Sequence, residues 1–267
     1  MIIDFHTHIF PDKIAQKTID FLSLKGGIEA FSDGSATALV KRLEQAGVNL
    51  AITLPVITNP LQFDSINRFA AEVNREYANK PTRLISFAGI HPLCEDLDKK
   101  MSFIAKSGFL GVKIHPDYQD TYINDERYVK ILESAREYDL IVVTHTGVDV
   151  AYTEVHAPAH LTLELIRRVQ HSKLVLAHMG ANAMYDQVFD LLCGEDVYLD
   201  TAYVLSTIGE EQFKKMIQKH GEDRILFASD SPWSSVKGDV EILNSFDLSN
   251  QTKEKIFYEN AKKLLKI

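Results

Sequence analysis

Eight short apolar runs rich in β-branched residues, with helix-period segments between them, constrain this 267-residue chain most strongly. The runs are 2–8, 48–56, 84–91, 109–115, 140–146, 173–179, 197–203 and 225–230. Each is bounded by Gly, Pro, Asn or Asp. Several are apolar on both faces, as parallel strands covered by helices are. Parallel neighbours cannot be joined by tight hairpins and need crossovers, which the intervening segments supply. In 124–138, Ile123, Val129, Leu132 and Ala135 form an apolar stripe, and Asn124 is placed to cap the helix start. Leu161, Leu165, Ile166 and Val169 do the same in 158–170. Phe213, Met216 and Ile217 mark another helix, and Ile256, Phe257, Ala261, Leu264 and Leu265 a final one.

This alternation fits two architectures, an open doubly wound sheet and a closed (β/α)8 TIM barrel. The number of units and the length favour the α/β barrel, expected as one domain over 1–267. No Gly-x-Gly-x-x-Gly or Gly-Lys-Ser/Thr is present, so a common nucleotide site is not indicated. Residues 11–34 exceed a minimal connection and contain Lys25-Gly26-Gly27 and Ser32-Asp33-Gly34. They are expected to fold over the barrel mouth as a helix and a loop.

Ligand-type residues gather where these runs end. His6 and His8 are two apart, so a strand would send both side chains to one face, where two imidazoles can grip one metal ion. Lys113 and His115 end the fourth run, His145 the fifth, His178 the sixth and Asp230 the eighth. In a barrel, all of these surround one mouth; in an open sheet the first and eighth strands would lie far from some of the others.

Composition narrows the function. Hydrophobic residues make up 45%, enough for a large core, and the formal net charge is −8. With no Lys/Arg cluster, binding to nucleic acid is not expected. Arg167-Arg168 and Lys262-Lys263 read as helix-face decoration. The only two cysteines, Cys94 and Cys193, fall in predicted helices, so no disulfide framework is expected and a cytoplasmic location is. No apolar segment approaches a membrane span, and the N-terminus does not read as a signal peptide.

His-x-His after strand 1, His after strands 5 and 6 and Asp after strand 8 resemble the amidohydrolase superfamily of metal-dependent barrels. The pattern spans residues 4–233. Asp-Phe-His-Thr-His and Ala-Ser-Asp-Ser-Pro-Trp are similar to the branch holding amidohydrolase-related hydrolases and aminocarboxymuconate-semialdehyde-type decarboxylases. The resemblance implies that His6, His8 and Asp230 hold one metal, and that His145 is a ligand in both one-metal and two-metal forms. His178 would act on water in the first form and join His145 on a second ion in the other. Gly-Val-Lys-Ile-His-Pro resembles the strand-4 region of dihydroorotase-type enzymes, where a carboxylated lysine bridges two metals. Lys113 is read either as that bridge, as a cation binding a substrate carboxylate, or as a partner of a buried acid.

These residues imply a divalent metal cofactor, Zn²⁺ being the ion expected, in one or two copies. A catalytic zinc lowers the pKa of its water to about 7. Asp230 would take that water's proton and return it to the leaving group; its alternative reading is a helix N-cap. The expected activity is hydrolysis of a small amide, cyclic amide, lactone or ester. The alternative is decarboxylation or hydration of a small carboxylic acid, ahead of a nuclease or an inactive binding scaffold. Expected substrate contacts are His91, His115, Tyr203 and Trp233, with Tyr118 and Tyr122 as further mouth aromatics. His156 and His160 are read as outer neighbours of the site or as without a role, and His171 and His220 as solvent-exposed. The partner is a small molecule; a homodimer is compatible with the sequence.

Overall fold

The computed structural model describes residues 1–267. All eight runs form parallel strands: β1 Ile3–Thr7, β2 Leu50–Thr53, β3 Arg83–Ser86, β4 Ala88–Gly89, β5 Gly111–Ile114, β6 Ile141–Thr144, β7 Leu174–Leu176, β8 Tyr198–Asp200 and β9 Ile225–Leu226. The third run is split into β3 and β4 at Phe87, whose N–H still donates to Thr53 O at 3.0 Å. Phe5 N–H donates to Phe227 O at 2.9 Å and Asp230 N–H to His6 O at 2.8 Å, so the last run closes on the first. The result is a TIM barrel, with helices wrapped around the ring.

The two apolar layers have different owners. A cluster of 55 buried residues lies mostly between the strands and the surrounding helices. A smaller cluster of 16, including Phe5, Ile52, Phe87, Val143, Val175 and Leu226, draws on strands from opposite sides of the ring and so fills the interior. Most of the apolar burial therefore attaches helices to sheet, leaving the upper interior to polar groups. Gly111, at the start of β5, makes room for the interior apolar cluster: a Cβ at this position would lie 2.5 Å from Ile141 O and from the Phe87 ring.

A register shift in β1 between Asp4 and Thr7 sets the mouth. It lets Phe5 belong to the interior apolar cluster while the next residue, His6, reaches the polar end. Simple alternation would have put these neighbours on opposite faces.

Segment 11–34 forms the helix Ala15–Gly26 and a loop, anchored by Phe31 N–H to Pro232 O at 2.7 Å. Lys25 lies 3.7 Å from the ring centre of Tyr152 and 5.1 Å from that of Tyr118, so the helix end leans on the loops after β5 and β6. Four local expectations are corrected. The helix Glu126–Glu137 is capped by Asp125, whose carboxylate accepts from Arg127 N–H, while the Asn124 amide donates to Glu164. Cys94 and Cys193 lie outside the helices, both buried and free. His171 and His220 are buried because each finds a backbone carbonyl, Leu140 O at 2.9 Å and Val197 O at 3.0 Å. Asp230 caps nothing; the Ser235 hydroxyl caps Val236–Ser245. No helix is long and apolar enough to cross a membrane.

Candidate metal centre

The strand ends bring His6, His8 and Asp230 together, with one ligand atom from each lying within 4.8 Å of the others. His6 Nε2 and His8 Nε2 are 3.2 Å apart, and Asp230 Oδ1 lies 3.3 Å from the first and 3.1 Å from the second. The opposite ring nitrogens decide what these atoms carry. His8 Nδ1 donates to Leu54 O at 2.8 Å, and His6 Nδ1 to Asp200 Oδ2 at 2.9 Å. Each neutral imidazole then has its lone pair on Nε2. Two lone pairs and a carboxylate oxygen converging in a buried space repel one another, and Lys113 Nζ, 3.1 Å from His6 Nε2, answers only one of them. A divalent ion fits this donor set.

Asp200 is a residue that motif reading passed over. Its Oδ1 accepts from the backbone N–H groups of His178, at 2.9 Å, and Ala202, at 3.1 Å, while Oδ2 takes His6. One fully buried carboxylate thus fixes a ring on β1 and the backbone of the turn after β7. The signal was an acid inside the apolar run 197–203. Asp4 does comparable work below the site. It accepts from Ser229 Oγ at 2.5 Å and from Ser229 N–H at 3.0 Å, tying β1 to the segment that presents Asp230. Burial pushes its carboxyl up to about 7 against those hydrogen bonds.

Lys113 is 1% exposed, and its Nζ lies 3.1 Å from His6 Nε2. Burial pulls its ammonium down to about 8, opposed by the carboxylates of Asp200 and Asp230.

His145 is linked to this trio through His178. Its Nδ1 is 3.0 Å from His178 Nε2, and the His178 ring is 5.4 Å from that of His6. The His178 Nδ1 donates to Ala202 O at 2.9 Å, which leaves its Nε2 as an acceptor. On its other side His145 meets a second group. Its ring stacks on His115 at 4.2 Å and 5°, and ligand atoms of His115, His145 and Asp149 also lie within 4.8 Å of one another. Burial holds His6, His115 and His145 well below the usual histidine range, so all three are neutral.

Among the expected substrate contacts, Tyr203 and Trp233 are half-buried, and Asp230 is near enough to raise the Tyr203 hydroxyl after burial has done so. His115 faces Asp149 at 3.5 Å. His91 is buried and accepts from Leu93 N–H at 3.1 Å, which engages it in its own turn. Tyr118 packs on His115, whereas Tyr122 is exposed and bonds Glu154. His156 is buried against Asp117, and His160 is exposed. Four non-glycine residues at the mouth hold left-handed backbone: His178 at φ +60°, Met179 at +53°, Tyr203 at +63° and Asp230 at +68°. Such conformations cost on the order of 1–3 kcal/mol each and collect at functional sites.

The amidohydrolase family model matches residues 3–267. Comparison with curated proteins finds no match. Among solved structures, an amidohydrolase II protein matches at TM-score 0.75 and 17% identity over 100% of both chains. The 5-carboxyvanillate decarboxylase of Novosphingobium aromaticivorans, complexed with manganese and 4-hydroxy-3-methoxy-5-nitrobenzoic acid, matches at TM-score 0.74 and 18% identity, covering 100% of this chain and 96% of that one. A 2,6-dihydroxybenzoate decarboxylase complexed with 2,6-dihydroxybenzoate matches at 0.70 and 17%, covering 100% and 99%. At these identities the likeness is one of fold.

Proposed function

This chain belongs to the amidohydrolase family, and on that premise we propose that it is a metal-dependent decarboxylase of a small, aromatic carboxylic acid. The ion is held by His6, His8, Asp230 and, through Nδ1, His145. Three imidazoles and one carboxylate suit manganese or zinc; manganese is the ion complexed with the decarboxylase of Novosphingobium aromaticivorans. When bound, it supplies Lewis-acid polarisation of substrate oxygens.

The observation that carries this reading is the buried Lys113 side chain, whose Nζ lies 3.1 Å from His6 Nε2. With Asp117, Asp200 and Asp230 ionised, a divalent ion and one ammonium balance to zero at the mouth, whereas a carboxylated Lys113 beside one ion would leave two negative charges to repel a carboxylate. Lys113 as a cation is the group that binds the substrate carboxylate. Asp230 and His178 are the groups placed to bring a proton to the carbon that loses its carboxyl group. Tyr203 and Trp233 line a planar ring, and His115 meets the substrate from the β5 side.

The family description and the presence of His178 beside the trio support a second reading, hydrolysis of an amide, cyclic amide, lactone or ester. The test loads the protein with Mn²⁺ or Zn²⁺ and offers hydroxybenzoates and methoxyhydroxybenzoates alongside lactones, cyclic amides and esters. Release of CO₂ with the decarboxylated ring as product supports the proposal. Hydrolysis without CO₂ release from any acid overturns it.

A further inference from the structure

Among the buried side-chain atoms without a hydrogen-bond partner are Asp117 Oδ2 and His145 Nε2, and they face each other at 3.5 Å. Asp117 is 1% exposed and His145 5%. Two acceptors do not sit so in a protein interior, because an unmatched buried lone pair costs free energy. The His145 proton decides the matter. If it sits on Nδ1, it serves His178 Nε2, and the Nε2 lone pair then faces the Asp117 carboxylate. If it sits on Nε2, it serves Asp117, and the Nδ1 lone pair faces that of His178 Nε2, 3.0 Å away. With Asp117 ionised, the form its two hydrogen bonds from His156 favour, either tautomer leaves one pair of acceptors opposed. A cation relieves it, and the two tautomers put that cation on opposite sides of the ring.

The Asp117 side is the worse furnished. His115 Nδ1 accepts from Tyr118 N–H at 3.4 Å, so its proton is on Nε2, directed at Asp149 Oδ2. A lone pair is missing where a ligand would be required. The His178 side, by contrast, adjoins His6, His8 and Asp230. We infer that Asp117 is a positioning residue: its Oδ2 holds the proton of His145 on Nε2 and thereby turns the Nδ1 lone pair toward the metal centre. Its own orientation is fixed from behind. Asp117 Oδ1 accepts from His156 N–H at 2.9 Å and from His156 Nδ1 at 3.1 Å, so Oδ2 is the oxygen left for His145. The arrangement repeats the Asp200–His6 pair on the other side of the site, a carboxylate setting the tautomer of a ligand. It rests on the proposed function through the assignment of His145 as a ligand.

Asp117→Asn tests it. Because the His156 N–H needs an oxygen, the asparagine carbonyl takes the Oδ1 place and its NH₂ takes that of Oδ2. The NH₂ donates to His145 Nε2 and forces the proton to Nδ1, masking the ligand lone pair. The Kd for Mn²⁺ or Zn²⁺ should rise by about 10–100-fold. In ¹⁵N-histidine spectra, His145 should read as the Nε2–H tautomer in the metal-loaded parent and Nδ1–H in the variant. A merely structural aspartate would lower Tm and leave the tautomer alone. Unchanged Kd and tautomer in the variant overturn the inference. So does an Nδ1–H His145 in the loaded parent, a measurement that stands even should the variant not fold. If the parent binds neither metal, the proposed function falls and this inference with it; if the parent binds but the variant is indifferent, only the inference falls.

Discussion

Asp200 Oδ2 lies 2.9 Å from His6 Nδ1, although the two residues are 194 positions apart. The other Asp200 oxygen is committed to the backbone N–H groups of His178 and Ala202. An asparagine must therefore keep its carbonyl there and offer NH₂ to His6. Asp200→Asn should weaken metal affinity by about 10–100-fold, read by competition with a chromophoric chelator. An unchanged affinity would mean that His6 does not depend on this carboxylate for its tautomer.

Asp230→Asn should keep the fold and lose about 10²–10⁴ of kcat, the usual worth of a positioned proton-transfer group. The fold survives because Ser235, not Asp230, caps the following helix, and because asparagine tolerates the left-handed backbone at φ +68°. Circular dichroism and steady-state kinetics on the same preparation check both halves. Full activity would remove Asp230 from the chemistry.

Lys113→Met separates a cation from a bridging carbamate. As a substrate-binding cation, Lys113 should be replaceable without change in metal content, while KM for a carboxylic acid rises by roughly tenfold or more as uniform binding is lost. Loss of an equivalent of metal, by elemental analysis, would instead reinstate the carbamate.

His220 makes stability depend on pH. It is neutral in the fold: Nε2 donates to Val197 O and Nδ1 accepts from Gly194 N–H. Burial holds its pKa at about 4, below the ordinary 6.5. The unfolded chain therefore binds a proton first as pH falls. The contribution is complete above about pH 6.5 and is lost progressively down to about pH 4. At pH 5 the loss from this group should be about 2 kcal/mol. Urea unfolding at pH 7 and pH 5 measures it, and His220→Gln, which cannot titrate, should show a loss smaller by that amount. Equal losses in both proteins would refute the assignment.

The barrel was legible because two periodicities are written directly in the chain. Alternating strand-like and helical runs, eight times over, specify parallel strands with crossovers, and their number, the length and the ligand-type residues on strands 1 and 8 favour closure. The ends of the runs also named His6, His8 and Asp230, because ligand-type residues there stand out against apolar neighbours. Local signals erred where competing partners were distant. Asn124 read as the cap of its helix, but its amide donates to Glu164, 40 residues away, and Asp125 caps instead. His171 and His220 looked like surface residues because the backbone carbonyls that receive them belong to other segments.

The sequence by itself determined the order of elements, the barrel and the donor types at its mouth, since hydrophobic period and residue chemistry are local properties. Tertiary structure alone decided which nitrogen of each histidine is free. That choice depends on carbonyls and carboxylates delivered by other strands: Leu54 for His8, Asp200 for His6, Ala202 for His178 and Asp117 beside His145. It also depends on the shifted register of β1, which a pattern of strict alternation does not contain. A histidine's identity is fixed in the chain, but the direction of its lone pair is fixed by its neighbours in space.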